Sequence, residues 1–332
     1  MKNKRDFNNK IIIFNSLNGV LDTMWIKEED YRLETNVIFN EDCIQGLKTR
    51  IKDESIDLII ADPPYFKVIG EKWDYMWRTE EEYIEWSKKW IIESSRVLRK
   101  GGSFYLFGYF RMLSRLLPVL EEAGLELRQQ IVLNKGMQAV SGRATKNYKM
   151  FPNVTESILF LYKDSKPYVK SFLKQRQKEL GYTAKYINEE LGVKSNGGGM
   201  WSIYTGKNVC KQLPTEELWG KLQRILQFDI PYSKISQTFN AQMGITDVWD
   251  DIKFYGEKNR FHSTQKPLDL ITRLVLASSN EDDIILDPFM GSGTTAVAST
   301  ENNRNFIGFE IDNDYYKKSM ERLFPLQQRM TI

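Results

Sequence analysis

Two short polar strings hold the residue types best able to do chemistry: Asp62-Pro63-Pro64-Tyr65 and Asp287-Pro288-Phe289-Met290-Gly291-Ser292-Gly293-Thr294-Thr295. The first follows the apolar run Leu58-Ile59-Ile60-Ala61 and the second follows Ile284-Ile285-Leu286. Polar loops placed this way are expected at the carboxyl edge of buried parallel strands, where open α/β sheets bind ligands. In the first loop Asp62 offers a carboxylate acceptor. Pro63 has no N–H, so its carbonyl can be held outward as a second acceptor in the rigid Pro63-Pro64 turn, and Tyr65 offers a ring face. That set suits an exocyclic amine of adenine or cytosine. Such an amine is a poor nucleophile, because its lone pair is delocalised into the ring. Acceptors aimed at both N–H groups favour the charge that gathers on nitrogen as it attacks. Stacking on Tyr65, about 1–3 kcal/mol, would partly offset the cost of flipping the base out of a helix. The plain alternative, a Pro-Pro turn, is weakened by the strand directly before it.

The second loop reads as a cofactor loop. Gly291 and Gly293 allow a tight turn and a close approach of backbone to ligand. A dinucleotide fingerprint would need glycine where Ala296 stands, and a phosphate loop would need lysine where Thr294 stands. Glu310 lies 23 residues beyond Asp287, at the end of Phe306-Ile307-Gly308-Phe309. That is near the roughly 20-residue spacing of a ribose-binding acid. Together the loops point to methylation of a nucleobase amine.

Bulk composition removes competing classes. The chain has 332 residues, enough for one large domain with an insertion or for two domains. With one histidine, His262, and two cysteines, Cys43 and Cys210, neither a zinc site nor a disulfide framework is expected, and no metal is expected in the site. No GxSxG elbow accompanies His262. No apolar run approaches the roughly 18 residues of a membrane span, and the short run Ile11-Ile12-Ile13-Phe14 does not make a signal peptide, so the expected location is the cytoplasm. Net charge is only +3, but Lys135 to Lys185 holds eleven Lys or Arg against three Asp or Glu. A basic middle segment in a near-neutral chain is what a phosphate-contacting surface would look like; a solvated lysine-rich helix face would look the same.

The elements that must position these loops follow from periodicity. Strands are expected at Asn36 to Phe39, Ile56 to Ala61, Ser103 to Phe107, Gln130 to Leu133, Ser157 to Tyr162, Ile284 to Leu286 and Phe306 to Phe309. Helices are expected after Cys43, from Glu80 to Leu98, from Arg111 to Ala123, from Leu268 to Val275 and after Gly293. This alternation argues for a doubly wound α/β sheet. It breaks after Lys163. Residues 164–245 are polar, helical and glycine-punctuated, with Gly181 to Gly206 resembling a helix-turn-helix. One sheet is therefore expected from both ends of the chain, with a module inserted between.

With these motifs in hand, the chain resembles the β-class of amino-methylating DNA methyltransferases, in which a DPPY loop precedes the recognition insert and the cofactor loop comes last. Here Asp62 precedes Asp287 by 225 residues, with the basic segment between. The resemblance implies a Rossmann-like S-adenosylmethionine-dependent methyltransferase sheet with circularly permuted motif order. Residues 36–163 would be the catalytic half, 164–245 a DNA target-recognition module and 246–325 the cofactor half. It implies transfer of a methyl group from S-adenosylmethionine to the N6 of adenine in double-stranded DNA. Asp62, Pro63, Pro64 and Tyr65 would be catalytic. The cofactor pocket would take Asp42, Cys43, Asp62, Thr264, Lys266, Asp287, Phe289, Gly291, Ser292, Gly293, Thr294, Glu310 and Ile311. His262-Ser263-Thr264-Gln265-Lys266-Pro267 departs from the family's HPTQKP at Ser263. Glu156 falls where a His or Glu usually precedes the last strand of the catalytic half. Asp62 weighs against N4-cytosine methylation, where Ser is commoner, and intact loops weigh against a DNA-binding regulator with an inactive core. Homodimerisation and a cognate restriction enzyme stay open.

Overall fold

The structure, a computed structural model, describes residues 10–15, 22–27, 33–66, 76–140, 149–192, 199–206, 212–255 and 265–330. A hairpin of β1 (Lys10–Asn15) and β2 (Asp22–Lys27) comes first. Then follow β3 (Val37–Phe39), α1 (Cys43–Arg50), β4 (Ile56–Ala61), α2 (Glu80–Val97), β5 (Leu98–Gly108), α3 (Phe110–Glu122), β6 (Leu125–Asn134) and β7 (Thr155–Lys163). Four helices succeed them: α4 (Lys166–Leu180), α5 (Ala184–Glu190), α6 (Gly199–Tyr204) and α7 (Glu216–Leu226). The chain ends with β8 (Val248–Trp249), α8 (Leu268–Ser278), β9 (Ile284–Asp287), α9 (Thr294–Glu301), β10 (Asn305–Phe309) and α10 (Asn313–Met330).

Among the described residues, β3 to β10 form one sheet in the order β3-β10-β9-β4-β5-β7-β6-β8. The run from β3 to β5 is parallel, and β7 lies antiparallel between β5 and β6. The centre of the sheet joins the two ends of the chain, with Leu58 opposite Ile285 and Ile59 opposite Leu286. From β4 the chain crosses by α2 to β5 on one side, and from β9 it crosses by α9 to β10 on the other. The strand order therefore diverges between β4 and β9, and the loops that follow these two strands flank the crevice.

Both faces of the sheet are covered, which is why its strands are apolar without alternation. Ile59 and Ala61 pack with Leu47 of α1, Trp90 of α2 and Leu116 of α3. Leu58 and Ile60 point the other way, against Leu270, Ile271 and Leu274 of α8. α2 starts cleanly because the Thr79 side chain accepts from the Glu82 N–H at 3.2 Å and three glutamates fill its first turn. The helices α4 to α7 hold a separate apolar cluster around Leu173, Ile187, Trp201, Trp219 and Leu222. Gly181 ends α4 in the left-handed conformation at φ 66°.

The expected alternation is present, with differences at the strands. β5 begins at Leu98, directly after α2, because the strand continues across Lys100-Gly101-Gly102 with a break in register: Ile56 pairs with Leu98 and Leu58 with Ser103, and Gly101 takes φ +75° in the stretch between. β6 starts at Leu125 rather than near Gln130, its exposed polar residues hiding the strand pattern. β8 is two residues long and gives no periodic signal. Residues 193–198, inside the Gly181 to Gly206 helix-turn-helix expectation, lie outside the described residues.

Candidate active site

Asp62 leaves β4 and Asp287 ends β9, so the sheet brings the two polar loops side by side. Between them lies a cavity of about 520 Å³, within the usual range for a small-molecule site. It is lined by Asp42, Cys43, Asp62, Pro63, Pro64, Tyr65, Lys266, Asp287, Phe289, Gly291, Ser292, Thr294, Glu310 and Ile311. Gly293 stands just behind this lining: its φ of 75° opens α9. Thr264, His262 and Ser263 lie outside the described residues.

On the cofactor side, Asp287 folds its own loop. Its carboxylate accepts from the Phe289 N–H at 2.9 Å and the Thr295 hydroxyl at 2.6 Å. Burial pushes its pKa up to about 7, against the lowering effect of those two bonds. Glu310 accepts from the Gly291 N–H at 2.7 Å and the Asp312 N–H at 2.8 Å. Each oxygen keeps acceptor capacity toward the cavity. Burial raises the Glu310 pKa above the usual carboxylate value. Asp42 caps α1, accepting from the Gln45 N–H at 3.1 Å. Phe289 is held edge-on to Trp90 at 5.1 Å. Cys43 is buried, and that burial keeps its thiol protonated. These residues fit S-adenosylmethionine: a strand-end acid for ribose hydroxyls, an aromatic ring for a base and a loop of positive-φ glycines beside them.

The side around Asp62 is a charge cluster. The Lys266 ammonium stands 2.9 Å from Asp62 and 2.9 Å from Glu156. Lys135 reaches the other oxygen of Glu156 at 2.6 Å. The Tyr65 hydroxyl contacts Asp62 at 2.9 Å and also meets Glu156. Burial would raise the Glu156 carboxyl, but Lys266 and Lys135 overcome it and hold its pKa at about 2. Asp62 shifts the other way. Burial and the Glu156 charge raise its pKa, and Lys266 offsets only part of that. Lys266 is raised, because the two carboxylates outweigh its burial.

The geometry therefore sets Lys266 against the Asp62 carboxylate, a contact its sequence position did not disclose. Glu156 and Lys135 enter the site as well. Glu156 is 2% exposed, with Ser157 between it and the apolar run Ile158 to Leu161. A lone acid at the start of a buried strand was the available signal. Lys135 was legible only as part of the basic segment. Tyr109 adds an aromatic wall, edge-on to Tyr65 at 5.4 Å.

Known proteins show the family. The DNA methylase family model, N6_N4_Mtase, matches residues 56–321. Escherichia coli (strain K12) DNA adenine methyltransferase YhdJ is 30% identical over 87% of this chain and 83% of its own length. Haemophilus influenzae type II methyltransferase M.HinfI is 27% identical over 87% and 68%. Among solved structures, the M1.HpyAVI–SAM complex shares the fold with a TM-score of 0.52 at 21% identity, covering 86% of this chain and 98% of that one. The diverging sheet, its two facing loops and the match across most of the chain place this protein in the N6/N4 DNA methylase family.

Proposed function

We propose that this enzyme transfers a methyl group from S-adenosylmethionine to the N6 amine of adenine in duplex DNA at a specific sequence. The observation that carries the proposal is Asp62 facing the cofactor cavity from the end of β4, beside Asp287 of the adjacent strand. The names of YhdJ as an adenine methyltransferase and of M.HinfI as a type II methyltransferase support the base and the site specificity. The bound complex of M1.HpyAVI supports the cofactor.

When bound, the cofactor supplies an electrophilic methyl group. The chain supplies the rest. Asp62 and the Pro63 carbonyl accept the two amine N–H groups, so the nitrogen lone pair becomes available as the bond to carbon forms. Tyr65 stacks on the flipped adenine, and Tyr109 braces its ring. Glu310, Gly291 and Phe289 would hold the donor beside the amine, and that positioning would contribute much of the acceleration. Asp62 takes the amine proton after transfer.

Target choice belongs to the same proposal. Residues 164–245 would form the recognition module, supported by the separate core of α4 to α7 and by the basic Lys135 to Lys185 stretch. A cognate restriction enzyme would fit the type II names of relatives.

The test is incubation with labelled S-adenosylmethionine and mixed-sequence duplex DNA, then nucleoside digestion and mass spectrometry. N6-methyladenine is expected. N4-methylcytosine would reverse the base assignment, and an absence of any methylated nucleoside would refute the proposal.

A further inference from the structure

The catalytic carboxylate does not face its cation alone. Lys266 sits midway between Asp62 and Glu156, 2.9 Å from each, with its side chain 10% exposed. The second carboxylate is almost fully enclosed, its side chain 1% exposed, and it is itself held by Lys135. Tyr65 ties the two carboxylates through one hydroxyl, which has a single proton to give. Among the described residues, two carboxylates and two ammonium groups thus make a neutral array. In it the strength of Asp62 as an acceptor depends on how much of Lys266 it must neutralise.

We propose that Glu156 and Lys135 are positioning residues for methyl transfer: Glu156 shares Lys266 and the Tyr65 hydroxyl, and so leaves Asp62 an electron-rich acceptor for the target amine. This inference rests on the activity proposed above. Without the Glu156 charge, Lys266 would face Asp62 alone. Its ammonium would then satisfy the oxygens that the amine must use, and Tyr65 would turn its proton wholly to Asp62. Without Lys135, the Glu156 charge would be uncompensated and would repel the charge on Asp62. The two changes act on Asp62 with opposite sign. Among the described residues, the other groups near the array are Asp287 at the end of β9, Tyr83 of α2 and the Tyr109 ring; Glu156→Gln leaves all three in place, and Lys135→Met removes only the ammonium 5.9 Å from the Tyr109 ring centroid.

The experiment is single-turnover methylation of duplex DNA across pH 5 to 9 by the full-length wild type, Glu156→Gln and Lys135→Met. The acid limb of that profile reports the ionisation of the acceptor in the complex. Glu156→Gln should move the limb down by roughly one pH unit, from the loss of a neighbouring like charge. It should also slow transfer above the limb by roughly 10- to 100-fold, the range seen when the partner that orients a reacting group is removed. Lys135→Met should move the limb up. Both residues line the cavity, but their hydrogen bonds and ion pairs run to Lys266, Tyr65 and each other rather than to Gly291, Phe289 or Glu310, so cofactor affinity by calorimetry should stay within about threefold of wild type. Opposite shifts cannot come from loss of fold, and Lys135→Met decides alone if Glu156→Gln does not fold. Limbs unmoved in both variants would overturn the inference even if rates fell, because Glu156 would then be a packing residue. A wild type that methylates no nucleoside would refute the activity instead, and that measurement comes first.

Discussion

Asp287→Asn should change how stability depends on pH, by an amount that the site geometry sets. Asp287 is 5% exposed and its pKa stands at about 7, against an ordinary 3.8. The causes are burial first, then the nearby Asp62 and Glu310 charges. A carboxyl raised on folding adds stability that is full below about pH 3.8 and is lost as pH rises through about 7. Between pH 5 and pH 8, about two powers of ten in proton affinity are forfeited, about 2.5 kcal/mol. Asparagine has the same shape. Its oxygen can accept from the Phe289 N–H, and its amide can donate to the Thr295 hydroxyl. It cannot ionise, so it escapes the loss. The assay is urea denaturation of the cofactor-free wild type and variant at pH 5, 6, 7 and 8. Taking the difference at each pH cancels the titrating groups that do not interact with Asp287; Asp62 and Glu310 do interact with it and add a smaller change. The difference should move by about 2.5 kcal/mol toward the variant as pH rises. A difference flat to within about 0.5 kcal/mol would show that Asp287 is ionised throughout and that burial does not dominate its site.

Asp62→Ala should lower methylation by at least about 10²-fold while cofactor affinity changes little, since the donor is held mainly by the other loop; transfer near the wild-type rate would remove Asp62 from the mechanism. Arg99→Met should destabilise the fold by about 1–3 kcal/mol, because the partly buried Asp57 carboxylate keeps only the Ile284 N–H as a partner among the described residues. The Ser236 carbonyl, bonded to Arg99 at 3.0 Å, loses that bond too. A denaturation midpoint equal to wild type would contradict that. Replacing 170–230 with a short flexible linker should abolish sequence preference but keep cofactor binding. The Ile235 and Ser236 carbonyls, bonded to Ser165 and Arg99, must be kept in that variant. Unchanged target choice would place recognition elsewhere.

The crevice was legible because two apolar runs each ended in a proline-containing polar loop, and parallel strands leave few other places for such loops. The order of Asp62, basic segment and Asp287 likewise foretold a sheet assembled from both chain ends. What stayed hidden was pairing between side chains far apart in sequence. Nothing near Lys266 announces Asp62, 204 residues away, or Glu156. Their contact depends on β4 and β7 flanking β5, a matter of strand order. Strand limits failed where edge exposure erased the alternation, as along Leu125 to Gln130. The antiparallel turn of β7 was also unreadable, since a strand buried on both faces looks the same in either direction.

Pairing β4 with β9 also imposes a timetable on synthesis. Between Ala61 and Ile284 lie 222 residues. At about 5–20 residues per second, the ribosome needs roughly 10–45 s to deliver the partner strand. Throughout that interval one edge of β4, an apolar strand, has no neighbour to bond. The α4 to α7 cluster is drawn wholly from residues made within the same interval, so it can close first. A nascent chain therefore holds a finished helical unit while the strand that completes its cofactor cleft is still untranslated, and chaperone demand should peak in that window.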